Sequence, residues 1–160
     1  MSKQKAPVKL NEQYTVVFED LTQEGAAVAK IDSYTLFVPE ALPGERAIVQ
    51  VTKVNKSYGY GRLVKILEKS ADRIEPICPV FFQCGGCKLQ HMRYERQLWQ
   101  KEKIVRDALE RIGKITNARV HPVIGMPSPW RYRNKAQVPV ADRNGKLIAG
   151  FYEERSHNII

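Results

Sequence analysis

Apolar and polar residues alternate in short runs between residues 11 and 67, and turn residues separate these runs. The runs are rich in β-branched and aromatic residues, which predicts strands. Asp32-Ser33 separates two of the runs as a hairpin turn would. The predicted strands are Tyr14–Phe18, Ala26–Ile31, Tyr34–Val38, Ala47–Val54 and Tyr58–Leu67. Five short strands within about sixty residues suit a small closed or nearly closed barrel of the OB type.

The apolar period becomes helical between Met92 and Ile112. Apolar residues there recur about every 3.6 positions and share one narrow stripe, which consists of Tyr94, Leu98, Val105, Leu109 and Ile112. Gly113 is placed to end the helix. We expect the stripe to pack on another domain, because an uncovered stripe would promote self-association.

Residues 120–160 return to a β pattern. Val120–Met126 and the segment from Trp130 to Val138 predict strands, and Asn144-Gly145 predicts a hairpin turn before a strand at Leu147–Tyr152. The predicted fold class is therefore mainly β with one long helix. The predicted segments are a barrel at 1–69, a cysteine loop at 70–91, a helical region at 92–119 and an incomplete β domain at 120–160.

Basic residues outnumber acidic ones by 26 to 17, which gives a net charge of +9. The excess is uneven. Residues 1–70 carry ten basic and eight acidic residues, whereas residues 88–119 carry nine and four, and residues 131–146 carry five and one. A local basic excess points to a polyanion such as nucleic acid. The alternative is that these charges only solvate helix and hairpin faces.

Two sets of residues are candidates for nucleic-acid contact. In the barrel region, rings and cations could bind bases and phosphates, and the candidates are Lys53, Lys56, Tyr58, Tyr60 and Arg62. The alternative is that both tyrosines pack inside the barrel, because aromatic residues favour strands in any case. In the second set, strand alternation would place four polar side chains on one sheet face, namely Arg131, Arg133, Lys135 and Gln137.

All three cysteines lie in one short stretch, at Cys78, Cys84 and Cys87, and Gly85-Gly86 allows a tight turn between the last two. Met1 to Gln13 form no apolar leader, and no run approaches the roughly 20 apolar residues of a membrane helix. We therefore expect a cytoplasmic, reducing compartment and no membrane partner, so the thiols favour metal binding over a disulfide. With His91 they could form a zinc site; alternatively, three thiolates could hold an iron–sulfur cluster with a ligand from elsewhere.

Several landmarks of the barrel region resemble the TRAM domain, an RNA-binding β-barrel attached to RNA-modifying enzymes. They are Gly25–Lys30, Leu36–Pro39 and Leu42–Glu45, and the resemblance spans residues 8–68. It implies an RNA-binding role for the barrel.

The barrel together with the cysteine loop resembles the bacterial 23S ribosomal RNA (uracil-5-)-methyltransferases, a branch of the RNA uridine-5-methyltransferases. This resemblance implies a [4Fe–4S] cluster held by Cys78, Cys84 and Cys87, with His91 a non-ligand. The family's fourth cysteine follows a strand that Ser156–Ile160 matches, so it would lie beyond Ile160. The chain would then be the N-terminal part of a longer enzyme.

The same resemblance implies ribosomal RNA as partner, with no DNA expected, and S-adenosylmethionine as methyl donor for the longer enzyme. We expect neither catalytic nor S-adenosylmethionine-binding residues in this chain. It has no strand, glycine-rich turn and helix for a cofactor, and the cluster loop holds every cysteine. The helix would pack on the C-terminal methyltransferase domain. The alternative function is a stand-alone zinc-dependent RNA-binding module without enzymatic activity.

Overall fold

Five strands form a closed barrel in the computed structural model, which describes residues 6–154 and 156–160. Most of the polar stretch Met1 to Gln13 is described, and residues 1–5 lie outside the described residues. The strands are β1 Gln13–Leu21, β2 Ala27–Ile31, β3 Tyr34–Val38, β4 Arg46–Val54 and β5 Tyr58–Glu68. Their order around the barrel is β1-β2-β3-β5-β4, and pairing of β1 with β4 closes it. The predicted fold class, mainly β with a five-stranded barrel and one helix, is confirmed.

The barrel interior is filled by every second residue of its strands. Phe18, Leu36, Val49 and other inward side chains are almost completely buried. Gly59 and Gly61 also face inward: a Cβ atom on Gly59 would lie 2.8 Å from the Lys53 carbonyl oxygen, and one on Gly61 would lie 3.3 Å from Val38 Cγ2. A side chain at position 59 would therefore clash with the backbone of β4, and one at position 61 would fit only if its neighbours shifted by a few tenths of an ångström.

A buried ion pair fastens the segment after β5 to the barrel. The Glu45 carboxylate is fully buried, and it accepts hydrogen bonds from the Arg73 guanidinium (Nη2 to Oε2, 2.8 Å) and the Leu42 N–H (2.9 Å). Arg73 also donates to the Glu40 carbonyl oxygen at 2.7 Å. Contacts divide the chain into two compact units, residues 1–73 and residues 74–160, so Arg73 is the last residue of the barrel unit.

In the second unit, helix α1 runs from Tyr94 to Asp107 and continues as a π-helical turn at Ala108–Ile112. Gly113 caps the end with φ −74°, and the left-handed residue is the following Lys114 at φ 56°. The predicted helix is confirmed. The first residue of α1 contacts a later segment of the same unit, since the Met126 N–H donates to the Tyr94 hydroxyl at 3.0 Å. Ile112, at the far end of the stripe, is 83% exposed.

Two of the predicted strands in this unit are wrong. Neither Val120–Met126 nor the segment from Trp130 to Val138 forms a strand; the strands are β6 Val140–Arg143 and β7 Lys146–Ala149. Pro122 interrupts the first segment, and Pro129 and Pro139 flank the second; none of them has a backbone N–H to donate. Arg131, inside the second segment, has a left-handed φ of 55°. The predicted turn is confirmed, because Asn144 and Gly145 join β6 to β7 with φ of 56° and 77°.

Within the described part of the chain, no helix is both long enough and apolar enough to span a membrane.

The Glu45→Gln substitution should destabilise the barrel by about 3 kcal/mol, because it leaves the Arg73 charge poorly compensated in a buried site. The matched control is Glu68→Gln, which breaks the exposed pair with Arg46 (2.6 Å) and should cost less than about 1 kcal/mol. Hydrogen exchange of the β1–β5 amides measures both effects. Equal costs for the two variants would contradict the importance of the buried pair.

The stability of the barrel should also fall in acid. Burial raises the pKa of Glu45, but the hydrogen bond from Arg73 and those from backbone N–H groups outweigh it, so the net pKa is lowered. A carboxyl with a lowered folded-state pKa stabilises fully above its ordinary pKa of 4.5, and this stabilisation is lost as pH falls through the folded value. Exchange measured below pH 5 should show a steeper loss in the natural chain than in Glu45→Gln. The same pH profile in both proteins would refute this role.

Candidate nucleic-acid surface and cysteine loop

Three aromatic rings lie together on the outside of the barrel. Because Gly59 and Gly61 face inward, the alternating Tyr58, Tyr60 and Arg62 point outward. Tyr58 is 39% exposed and Tyr60 is half-buried. The alternative that both tyrosines fill the barrel is therefore wrong.

Phe37 is the third ring, and sequence reasoning missed it. Strands β3 and β5 pair in parallel with Phe37 opposite Tyr60. Ring centroids are 5.9 Å apart for Phe37 and Tyr58, 5.8 Å for Phe37 and Tyr60, and 5.8 Å for Tyr58 and Tyr60. We call Phe37, Tyr58 and Tyr60 the ring cluster. The alternation of β3 could have marked Phe37 as outward, but only the β3–β5 pairing shows its neighbours.

Cations adjoin the ring cluster. Lys53 stands opposite Tyr60 in the β4–β5 register, and Lys53, Lys56 and Arg62 are all exposed. The Arg62 Nε–H donates to the Gln50 side-chain oxygen at 2.8 Å, which orients the guanidinium along the sheet. The structure thus brings all five predicted barrel residues to the β4–β5 region of the surface.

A buried hydroxyl fixes the backbone beneath the cluster. Tyr34 is almost fully buried, and its hydroxyl contacts the Asn55 carbonyl oxygen at 3.0 Å and the Tyr58 carbonyl oxygen. These two carbonyls lie on either side of the turn that carries Lys56. The Asn55 N–H also donates to the Tyr58 carbonyl oxygen at 2.9 Å. The start of β5 is therefore held from the barrel interior.

The three thiols share one loop in the second unit. Cys78 and Cys84 are half-buried, and Cys87 is exposed. The Gln90 side chain links two of them: its amide oxygen accepts from the Cys78 N–H at 3.2 Å, and its amide nitrogen donates to Cys87 Sγ at 3.3 Å. The Gly86 N–H donates to Cys84 Sγ, also at 3.3 Å. Two of the sulfurs thus accept hydrogen bonds within the loop.

The Gly-Gly turn of this loop packs against the segment from Phe151 to Glu154. The Gly85 N–H donates to the Tyr152 carbonyl oxygen at 2.9 Å, and Lys88 pairs with Glu154 at 3.1 Å. A Cβ atom on Gly86 would lie 3.4 Å from the Phe151 ring. The two glycines therefore permit a close approach that larger residues would disturb.

The chain from Ser156 to Ile160 folds back on the same segment. The Ile160 N–H donates to the Phe151 carbonyl oxygen at 2.9 Å, and Tyr152 forms an antiparallel bridge with Ile159. A Cβ atom on Gly150 would lie 2.0 Å from the Ile160 carbonyl oxygen, so these backbones touch. Phe151 therefore makes two contacts. Its ring packs on the cysteine turn, and its carbonyl oxygen accepts a hydrogen bond from Ile160.

The cysteine loop fits a metal centre in its donors but not in its arrangement. Thiolates are suitable ligands for iron–sulfur clusters and for zinc. Among the described residues, however, no group of three or more His, Cys, Asp or Glu side chains is arranged to hold a metal ion. His91 is completely buried, and its ring centroid lies 5.2 Å from that of Phe81.

The second predicted set does not share a strand face. Arg131, Arg133, Lys135 and Gln137 are all exposed, but residues 131–139 form no strand, so these side chains are not in register. The Arg133 guanidinium lies 5.7 Å from the Phe151 ring centroid and 6.0 Å from that of Tyr132. The structure therefore places Arg133 beside the ring that packs on the cysteine turn.

Residues 7–64 match the TRAM domain family, which confirms the predicted TRAM barrel. The whole chain is 63% identical over 160 residues to a protein of Halalkalibacterium halodurans that is named an uncharacterized RNA methyltransferase, and it covers 35% of that protein. A protein of the same name from Bacillus cereus is 53% identical over 99% of this chain, again with 35% of the relative covered. The chain thus spans about a third of the length of the curated relatives it matches.

A further match is the solution structure of a conserved protein from Methanococcus maripaludis. The two sequences are 31% identical, and the matched region covers 40% of this chain and 91% of the other. The TM-score of 0.37 is too low to support an argument about the fold.

Proposed function

We propose that this chain is the RNA-binding part of an S-adenosylmethionine-dependent methyltransferase that forms 5-methyluridine in 23S ribosomal RNA in the cytoplasm. The observation that carries the proposal is the identity of up to 63% along the entire chain with proteins named RNA methyltransferases. The TRAM match at residues 7–64 supports RNA binding by the barrel. The uridine specificity and the ribosomal target rest on the sequence resemblance alone.

The surface chemistry of the barrel supports an RNA partner. Exposed Lys53, Lys56 and Arg62 offer attraction to phosphates, and the ring cluster offers stacking surfaces to bases. The exposed cations of the second unit, Arg131, Arg133 and Lys135, add phosphate contacts. Because they are not in register, we assign them to the RNA backbone rather than to base edges.

We propose that the cysteine loop supplies three ligands of a [4Fe–4S] cluster, whose binding would have to bring together three sulfurs that are not grouped as a metal site in the structure. Support comes from the donor type, from the hydrogen bonds that Cys84 and Cys87 accept, and from the position of Ile160. The Ile160 N–H binds the Phe151 carbonyl oxygen, and the Phe151 ring packs on the cysteine turn. A ligand directly after Ile160 would therefore start close to this loop. When bound, such a cluster would tie the loop and its neighbours together.

The methyl-transfer chemistry is assigned to a C-terminal domain of the longer protein. S-adenosylmethionine would supply the methyl group there. Within the described residues the only helices are α1 and its π-helical turn, and no glycine-rich turn leads from a strand into either. The role of this chain is to bind and position RNA.

Residues 1–160 should bind ribosomal RNA without methylating it. The barrel offers cations and aromatic rings to RNA, and the described residues contain no strand, glycine-rich turn and helix for a cofactor. Fluorescence anisotropy should show that affinity falls with salt. The logarithm of the binding constant should fall with the logarithm of the salt concentration, with a slope of about −0.7 per phosphate contact on single strands. Incubation with S-adenosylmethionine, followed by mass spectrometry of the RNA nucleosides, should show no 5-methyluridine. The control is a chain of the relatives' full length, which should produce it.

Methyl transfer by residues 1–160 alone would contradict the division of labour. A full-length chain that methylates another position or another RNA would overturn the uridine or ribosomal assignment, while RNA binding by residues 1–160 would still stand.

Anaerobically purified protein should be brown, contain iron and absorb near ~400 nm. Cys84→Ser should lose this absorbance because it removes one thiolate ligand, whereas Gln83→Ala, which alters an exposed neighbour, should retain it. Both variants should be examined in the full-length chain, which would hold the fourth ligand. A colourless protein with one tightly bound zinc would favour the alternative, a zinc-dependent RNA-binding module.

A further inference from the structure

The ring cluster carries an inference that rests on the proposed RNA-binding function and specifies its substrate. We infer that Phe37, Tyr58 and Tyr60 together stack on unpaired nucleotides, so that the barrel recognises a single-stranded segment of RNA. Phe37 contributes to this site even though it lies on a different strand from the two tyrosines. The first reason is the exposure of the rings. Tyr58 is 39% exposed, and Phe37 and Tyr60 are half-buried on the outer face of the barrel.

The geometry of the cluster favours bases that are out of a helical stack. The Tyr58 ring is inclined by 66° to Phe37 and by 81° to Tyr60, so the three rings turn their faces in different directions. Such a cluster can receive separate bases at different angles, whereas a duplex buries the faces of its bases in its own stack. Stacking on aromatic rings also tolerates any base, because every base has a π-face.

The cluster is preorganised by the barrel beneath it. The Tyr34 hydroxyl contacts the Asn55 and Tyr58 carbonyl oxygens, and a Cβ atom on Gly59 would lie 3.0 Å from this hydroxyl. The backbone between the two tyrosines is thus in direct contact with a buried side chain. Binding then needs little ordering of the protein, which favours affinity. We infer that Tyr34 is a positioning residue for the rings.

The charges beside the cluster favour nucleic acid over a protein partner. Lys53 lies opposite Tyr60, and Lys56 and Arg62 belong to the turn and strand that carry the tyrosines. An apolar protein contact would gain little from these cations, whereas the phosphates of a strand whose bases stack on the rings would be attracted by them. A protein partner or a second copy of this chain is an outcome that the test can reveal.

The test measures binding of single-stranded RNA that contains 2-aminopurine, whose fluorescence is quenched when the base stacks. The single-stranded probe should bind with quenching and more tightly than a hairpin duplex of the same length. Phe37→Leu, Tyr58→Leu and Tyr60→Leu each keep an apolar side chain but remove the ring. Each should weaken binding about tenfold, or about 1.4 kcal/mol, and reduce the quenching.

Two controls separate stacking from charge and from general damage. Lys53→Ala should weaken binding and lower the salt slope by about 1, while the quenching at saturation remains. Trp99→Leu removes a ring that is exposed on α1, and it should leave quenching by the barrel unchanged.

Tyr34→Phe tests the positioning role of the Tyr34 hydroxyl. This variant should keep the fold but reduce the quenching. Circular dichroism of each variant checks the fold.

The inference is overturned if the chain binds RNA but the three ring variants bind and quench like the natural protein, or if the duplex binds equally well. It is also overturned if sedimentation shows a dimer that the ring variants abolish, since the face would then be a contact between copies. If the natural chain binds no RNA at any salt concentration, the proposed function itself fails.

Discussion

Two glycines on β5, Gly59 and Gly61, determine which side chains of this strand face the outside of the barrel. A Cβ atom on Gly59 would collide with the Lys53 carbonyl oxygen, and one on Gly61 would press against Val38. Because a strand alternates its faces, glycine inside means that Tyr58, Tyr60 and Arg62 face outside. The packing of the core thereby determines which side chains of β5 face solvent, so the stability of the barrel and the proposed RNA binding depend on the same strand.

A comparable relation holds in the second unit. The cysteine turn approaches the Phe151–Glu154 segment closely because Gly85 and Gly86 lack side chains. The Phe151 ring, which packs on this turn, also has the Arg133 guanidinium beside it. The loop proposed to bind metal and a segment proposed to bind RNA therefore share one aromatic residue.

The barrel could be predicted well because its signals are local. Alternation, β-branched content and turns such as Asp32-Ser33 all point to the same structure, and the strands end within a few residues of their predicted limits. The pairing of β3 with β5 brings Phe37 to the tyrosines, and such long-range pairing leaves no mark in a local pattern. The same holds for the link between Glu45 and Arg73, which lie far apart in the chain.

Prediction failed where local alternation was not supported by pairing. The segment from Trp130 to Val138 alternates like a strand, but Arg131 takes a left-handed conformation and nearby prolines lack donors. In contrast, Gly85-Gly86 predicted a tight turn between Cys84 and Cys87, and the structure has turns there. The hydrogen bonds from Gln90 and Gly86 to sulfur could not be read from spacing, because they depend on how the loop folds back.

The central claim is that RNA contacts the face of the barrel formed by β3, β5 and β4, together with the exposed basic segment near Arg133. Ultraviolet cross-linking of the chain to single-stranded ribosomal RNA, with mass spectrometry of the linked peptides, tests it most directly. The account predicts cross-links at Phe37, Tyr58 or Tyr60 and in residues 131–137. Cross-links confined to the outward residues of β1, such as Val17 and Glu19, would contradict it.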